Sequence, residues 1–145
     1  MRVALLGDVG GHAEQLARAL HQLGGRETSW PDGLHVVQVV DLLGDRDDVD
    51  VIDFVEPHLR AGRWTQLPGN WDSRTIGGHD FRKPGGQLPS PAAEARLAAW
   101  NDAGLLRYAA AITTGAHVSA VVTHAGITSD WWLEVLKAKS TRGGP

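Results

Sequence analysis

The chain has 145 residues, 42% of them apolar, which is enough for one substantial core and predicts a single domain. Its formal net charge of −3 gives no general attraction to nucleic acid or to anionic membranes, so neither is expected as a partner. There is no cysteine, which excludes disulfides, thiolate metal sites and a cysteine nucleophile. Candidate protein ligands for a metal ion are therefore His, Asp, Glu and Asn.

The sequence contains no segment that approaches the ~20 apolar residues of a membrane-spanning helix. The apolar run from Val3 to Leu6 is too short for the core of a signal peptide, and no cleavage pattern follows it. A cytoplasmic location is therefore expected.

The first half of the chain alternates strand and helix patterns. Short apolar runs predict strands, and apolar residues at three- and four-residue spacing predict helices. The predicted strands are Val3 to Leu6, Val36 to Val40 and Trp64 to Leu67. The predicted helices are Ala13 to Leu23 and Asp48 to Leu59, the second of them kinked or split by Pro57.

The second half begins with a long loop, residues 72–91, that is rich in Gly, Pro and charge. Ser90 and Pro91 then predict the start of a helix that runs to Trp100. Two strands, Tyr108 to Thr113 and Val118 to Thr123, follow as a hairpin. A last helix from about Asp130 to Ala138 completes a domain of residues 1–139, and residues 140–145 are expected to form a flexible tail.

A polar residue of a type that binds metals follows the carboxyl end of four predicted strands. These residues are Asp8, Asp41, Asn70 and His124. In open α/β sheets, ligands bind beyond the carboxyl ends of the strands, so we expect the four side chains at one sheet edge. A single Asp after a strand is common in turns, but four in succession indicate a site.

Four segments carry a resemblance to a known family: GDVGGHAEQL (7–16), VVQVVDLLGDRDD (36–48), LPGNWD (67–72) and VVTHAGIT (121–128). In order, they resemble the calcineurin-like metallophosphoesterases, especially the branch of bacterial diadenosine tetraphosphatases and protein Ser/Thr phosphatases. The family pattern is GD-x-HG, GD-x-x-DRG, GNH[DE] and a later HAG or HGG. The resemblance implies an α/β fold, a metallophosphoesterase-type β-sandwich flanked by helices. In one alternative, this fold is shortened at its C-terminus.

The resemblance also implies two divalent metal ions, Mn, Fe, Zn or Mg, about 3.5–4 Å apart, which polarise a phosphoryl group and activate water. Asp8 would bind the first ion, Asp41 would bridge both, and Asn70 and His124 would bind the second. Three further residues would serve catalysis. Asp45 matches the second Asp of the GD-x-x-DRG motif, Arg46 its phosphate-binding Arg, and Asp72 the acidic residue that closes GNH[DE].

The chain departs from the family pattern at several positions. Gly10 stands where the family has its first metal-binding His, and His12 lies two residues further on. Gly44-Asp45 is an alternative to Val40-Asp41 as the second GD. Trp71 stands where the family has a His that acts as general acid, and its loss would cost about 10²- to 10⁴-fold in rate. No His follows His124, so the last metal-binding His of the family has no counterpart.

Two function hypotheses follow. The first is a metal-dependent phosphoesterase that hydrolyses a phosphomonoester, phosphodiester or nucleotide polyphosphate, with a phosphorylated small molecule or a phosphoprotein as substrate. The alternative is a catalytically decayed relative that binds a phosphorylated ligand or a protein. A third idea treats Trp131 and Trp132 as an interaction surface, although core packing explains them equally well.

Overall fold

The computed structural model describes residues 1–25, 30–44, 48–81, 88–114, 117–126, 129–130 and 133–134. They form a mixed α/β fold, which confirms the general α/β class of the prediction. The elements in chain order are β1 (Arg2–Leu6), α1 (Ala13–Gln22), β2 (Leu34–Gln38), α2 (Asp48–Arg60), β3 (Trp64–Gln66), α3 (Pro91–Asp102), β4 (Ala110–Thr114) and β5 (His117–Val122). No helix within the described ranges is both long and apolar enough to cross a membrane.

The first three strands form a parallel sheet in the order β1-β2-β3. Ala4 of β1 pairs with Val36 of β2, and Val36 pairs in turn with Trp64 of β3. Parallel neighbours need a crossover connection, and α1 and α2 supply the two crossovers. The carboxyl ends of all three strands therefore meet at one edge, where the loops to Asp8, Asp41 and Asn70 begin.

The core lies between this sheet and the helices. Leu16 and Leu20 of α1 are buried, as the helical spacing predicts, and Val51, Ile52 and Val55 of α2 are fully buried. The helix α2 packs against α1, α3 and β3. It continues through Pro57 to Arg60 as one helix, so the predicted split does not occur.

The second sheet corrects part of the sequence prediction. β4 and β5 pair antiparallel, as predicted, but they form a two-stranded sheet of their own. His124, which follows β5, therefore reaches the site from a different sheet and not from the edge that Asp8, Asp41 and Asn70 share. The chain ahead of β4 stays close to β3, because the backbone N–H of Arg107 donates to the carbonyl oxygen of Gln66 at 2.9 Å.

The strand ends also differ from the prediction. β2 ends at Gln38 and not at Val40, and β3 ends at Gln66. Each of the four predicted ligands therefore lies in a loop a few residues beyond its strand, so loop contacts decide whether the ligands meet.

Several predictions fall outside the described residues. They concern Asp45, Arg46, the pair Trp131–Trp132, the tail 140–145 and most of the final helix from Asp130 to Ala138.

An ionic contact joins α2 to α3. The guanidinium of Arg96 donates to both Asp53 and Glu56, including a 3.1 Å hydrogen bond from Nε to Oε2 of Glu56. The hydrogen bonds from Arg96 lower the pKa of Glu56 to about 2, and Arg60 adds to the effect. Because Glu56 is only 20% exposed, its charge is partly shielded from solvent screening.

The variant Glu56→Gln tests this contact. A lowered folded-state pKa stabilises the fold above pH 4.5, and that contribution is lost as the pH falls towards 2. Urea unfolding should therefore show a loss of about 1–2 kcal/mol at pH 7, and the difference from wild type should vanish towards pH 2. Glu14→Gln, which breaks an exposed pair with Arg18, is the control and should be nearly neutral. Equal losses for Glu56→Gln at both pH values would contradict the account.

Candidate functional site

An open pocket of about 220 Å³ lies at the carboxyl ends of β1 and β2. The described residues that line it are Asp8, Gly10, Asp41, Leu43, Gly44 and Trp71. Two of the predicted metal ligands, Asp8 and Asp41, thus share one pocket. Trp71, which the sequence analysis singled out as a departure from the family pattern, lines the same pocket.

The loop after β1 is bonded to the loop after β2 through backbone groups. The N–H groups of Val9 and Gly10 both donate to the carbonyl oxygen of Asp41, at 3.2 and 3.0 Å. Gly10 has a φ of +51°, a left-handed conformation that glycine adopts without strain. A Cβ atom on Gly44 would overlap the backbone of Gly10. The two glycines therefore allow the two ligand loops to touch.

Asp72 connects the loop after β2 to the loop after β3. Its fully buried carboxylate accepts hydrogen bonds from the backbone N–H groups of Leu42 and Leu43, each at 3.2 Å, and of Gly69 at 3.0 Å. Burial raises the pKa of Asp72 to about 7, against the effect of these three donors. Asp72 is not among the described residues that line the pocket, and its hydrogen bonds hold the two ligand loops together.

Asp41 is nearly buried at the floor of this arrangement, with 7% of its surface exposed. Its Oδ1 accepts a 2.7 Å hydrogen bond from the backbone N–H of Trp71. Burial is the main cause of a raised pKa for Asp41, the charge of Asp8 raises it further, and His124 lowers it. Asp8 and His124 are therefore both close enough to Asp41 to influence the charge of its carboxyl group.

Asn70 and His124 are in direct contact although 54 residues separate them in sequence. Nε2 of His124 lies 3.1 Å from Oδ1 of Asn70 and 3.2 Å from the backbone nitrogen of Asn70. This contact brings the second sheet to the site. The four predicted metal ligands therefore form two neighbouring pairs, Asp8 with Asp41 and Asn70 with His124.

Nε2 of His124 cannot use one proton or one lone pair for both of its contacts with Asn70 in the same way. If the backbone N–H of Asn70 donates to Nε2, that nitrogen carries a lone pair that faces the lone pairs of Oδ1 at 3.1 Å. If Nε2 is instead protonated and donates to Oδ1, the backbone N–H loses its acceptor. A cation bound to both Nε2 and Oδ1 would remove the repulsion between their lone pairs, although the backbone N–H of Asn70 would then lose Nε2 as its acceptor.

The distance itself fits two ligands of one metal ion. Two donor atoms at right angles, each about 2.1 Å from an ion, are about 3.0 Å apart. The observed 3.1 Å between Nε2 and Oδ1 agrees with that value. Nδ1 of His124 is buried without a hydrogen-bond partner among the described residues, so Nε2 is the nitrogen whose contacts orient the ring.

Within the described ranges, no three His, Cys, Asp or Glu side chains are close enough together to hold a metal ion. A cation at this position would therefore use the amide oxygen of Asn70 together with His124 and Asp41. Such a mixed oxygen and imidazole set suits Mn, Fe or Zn. His12, the alternative ligand near Gly10, occupies the N-cap position of α1 and is not among the residues that line the pocket.

Three buried polar residues, Asp48, Gln38 and Gln66, support the site, although no role was predicted for any of them. Asp48 accepts hydrogen bonds from the backbone N–H groups of Gly44 at 2.8 Å and Ser90 at 3.1 Å. Gln38 donates to the carbonyl oxygen of Gly7 at 3.0 Å and accepts from Gln66. Two features of the sequence could have indicated these residues. Gln38 is a polar residue inside the apolar β2 pattern, and Asp48 is an Asp at the start of α2.

Gly69 provides a direct test of how closely the ligand loops pack. A Cβ atom at this position would overlap Oδ1 of Asp41, whereas a Cβ at Gly7 would meet no atom within 4 Å. Gly69→Ala should therefore lower the free energy of unfolding by about 1–3 kcal/mol, because the Asp41 loop must shift. Gly7→Ala is the matched control and should stay within about 0.5 kcal/mol of wild type. Urea unfolding measures both, and equal stability of the two variants would contradict this packing.

Comparison with known proteins gives no match of this chain to a family model, to a curated protein or to a solved structure. The interpretation of the site therefore depends on its own geometry.

Proposed function

We propose that the protein is a metal-dependent phosphoesterase that resembles the calcineurin-like metallophosphoesterases. The observation that carries the proposal is the 3.1 Å contact between Asn70 and His124 next to the pocket that Asp8 and Asp41 line. In the proposal, two neighbouring pairs from four separate loops would supply the ligands, Asp8 with Asp41 and Asn70 with His124. Such ligand sets hold the divalent ions that promote phosphoryl transfer.

The proposal includes the finer fold, a metallophosphoesterase-type β-sandwich. Two separate sheets whose loops contribute to one site support it. It also includes one or two divalent ions. Asp41, Asn70 and His124 would hold one ion. Asp8 would bind the other, at a position where the family has an imidazole ligand that this chain lacks. When bound, such ions lower the pKa of water and withdraw charge from phosphoryl oxygens.

The chain's own residues have distinct tasks in this proposal. The backbone N–H of Trp71 donates a 2.7 Å hydrogen bond to one carboxylate oxygen of Asp41, Oδ1. The other carboxylate oxygen would then be the one that binds an ion. Asp72 fixes the two ligand loops relative to each other through three backbone N–H groups. Gly10 and Gly44 keep one part of the pocket free of side chains, where a phosphoryl group can approach the backbone.

The test uses metal-stripped protein and p-nitrophenyl phosphate. Adding Mn²⁺ should restore hydrolysis in wild type, and Asp41→Asn should lose at least about 10²-fold, because a ligand of the ion is weakened. Asp32→Asn, an exposed carboxylate outside the pocket, is the control and should match wild type. Hydrolysis that needs no metal, or that survives in Asp41→Asn, would contradict the proposal. Binding of Mn²⁺ without hydrolysis of any ester would favour the decayed relative.

A further inference from the structure

A chain of buried hydrogen bonds crosses the first sheet at its carboxyl edge. Gln38 and Gln66 are the last residues of β2 and β3, they are paired in register, and both side chains are fully buried. The indole N–H of Trp64 donates to Oε1 of Gln66 at 3.0 Å, and Nε2 of Gln66 donates to Oε1 of Gln38. Nε2 of Gln38 donates in turn to the carbonyl oxygen of Gly7 at 3.0 Å. Gly7 directly precedes Asp8, so the chain of hydrogen bonds ends at the loop that carries a proposed metal ligand.

The two ends of this chain fix the direction of every hydrogen bond in it. An indole N–H can only donate, and a backbone carbonyl can only accept. The amide oxygen of Gln66 must therefore face Trp64, and the amide nitrogen of Gln38 must face Gly7. A flipped amide would leave a buried donor or acceptor unpaired, which is costly in a buried network. Each glutamine therefore has one favoured amide orientation.

Gln66 also connects the chain to the loop after β3. Its Nε2 donates a second hydrogen bond, at 3.1 Å, to the carbonyl oxygen of Leu67. The backbone N–H of Leu67 donates to the carbonyl oxygen of Gln38 at 2.9 Å. The start of the loop that carries Asn70 is therefore bonded to the same two glutamines.

The backbone is anchored on both sides of Asp8. On the preceding side, the carbonyl oxygen of Gly7 accepts from the side chain of Gln38. On the following side, the N–H of Val9 donates to the carbonyl oxygen of Asp41 at 3.2 Å. Gln38 and Asp41 belong to one short segment of the chain, β2 and the start of its loop. The position of Asp8 relative to Asp41 therefore depends on both contacts.

We propose that Gln38 is a positioning residue for metal binding by Asp8. Through the carbonyl group of Gly7, Gln38 holds the backbone of Asp8 where its carboxylate can bind a metal ion next to Asp41. This inference rests on the proposed function, which makes Asp8 a ligand, and it names a buried residue that arranges the same site. Substitution of residues that orient metal ligands typically lowers metal affinity by about 10- to 100-fold.

The first experiment uses the metal-free protein. Gln38→Met keeps the length of the side chain and removes both hydrogen bonds of its amide. Amide hydrogen exchange, followed by NMR, should show a loss of protection of at least about tenfold at the N–H of Val9 relative to the amides of α2. Thr65→Val is the matched control, because it removes a 2.8 Å contact with His35 between the same two strands. It should leave Val9 as protected as in wild type, and unchanged protection of Val9 in folded Gln38→Met would overturn the inference.

The second experiment measures Mn²⁺ affinity by calorimetry in wild type, Gln38→Met, Asp8→Asn and the double variant. Gln38→Met should weaken binding by about 10- to 100-fold, and Thr65→Val should bind as wild type does. If Gln38 acts through Asp8, its substitution should have little further effect once Asp8 is changed, so the two losses are not additive. A residue that only stabilises the fold would weaken binding equally in both backgrounds, and that result would overturn the inference.

Gln38→Glu is a second variant for the case that Gln38→Met does not fold. While the introduced carboxyl group is protonated, its O–H can donate to Gly7 and its other oxygen can accept from Gln66, as the amide does. Burial raises the pKa of a carboxyl group, so this state persists above the ordinary value of about 4.3. Protection of Val9 should match wild type at about pH 5 and fall below it as the pH rises through the raised pKa. A ratio to wild type that stays constant with pH would overturn the inference.

The outcomes separate this inference from the proposed function. Mn²⁺ binding by wild type that Gln38→Met leaves unchanged would overturn the inference and leave the proposed function intact. Absence of Mn²⁺ binding by wild type would overturn the proposed function and, with it, the role of Gln38 in metal binding, whatever the exchange of Val9 shows.

Discussion

The buried carboxylate of Asp72 is the interaction on which the arrangement of the site depends. It accepts hydrogen bonds from backbone N–H groups of two different loops, one that carries Asp41 and one that carries Asn70. A buried acceptor left without donors, or buried donors left without an acceptor, would cost about 1–3 kcal/mol each, so the two loops are held together. Asp41 and Asn70 can face a common position because the loops that carry them cannot separate.

The sequence predicted the alternation of strands and helices because apolar periodicity reports directly on burial. Helices α1, α2 and α3 began within a residue of their predicted starts, and the three parallel strands were found. The ends of β2 and β3 were less accurate, since a strand ends where its pairing stops and not where its apolar run stops. The hairpin of β4 and β5 was predicted, but the strand pattern alone did not separate it from the first sheet, because pairing between distant segments leaves no local signal.

The residues of the candidate site were likewise predictable from the sequence only in part. Asp8, Asp41, Asn70 and His124 could be identified because each follows an apolar strand within a recognisable motif. The positioning role of Asp72 could not, because three backbone N–H groups around one carboxylate are a property of the folded chain. Asp48 and Gln38 are similar cases, since a polar residue in an apolar pattern signals a buried hydrogen bond without naming its partner.

In the proposed function, the pocket lies beside a set of metal ligands, and Trp71 is one of its lining residues. Gly10 removes a possible imidazole ligand and lets the first loop meet Gly44. Trp71 stands where the family that the chain resembles has a His that acts as general acid. In the proposed function, both features favour binding of a metal and a phosphoryl group over general acid catalysis.

The central claim is that Nε2 of His124 and Oδ1 of Asn70 bind one metal ion. The most direct measurement is a titration of the ¹⁵N-labelled protein with Zn²⁺, followed by the NMR signals of the histidine ring nitrogens. The account predicts that Nε2 of His124 moves to a metal-bound shift, that the ring proton stays on Nδ1, and that Asn70→Ala weakens binding at least about tenfold. An unchanged His124 ring at saturating Zn²⁺ would contradict the account.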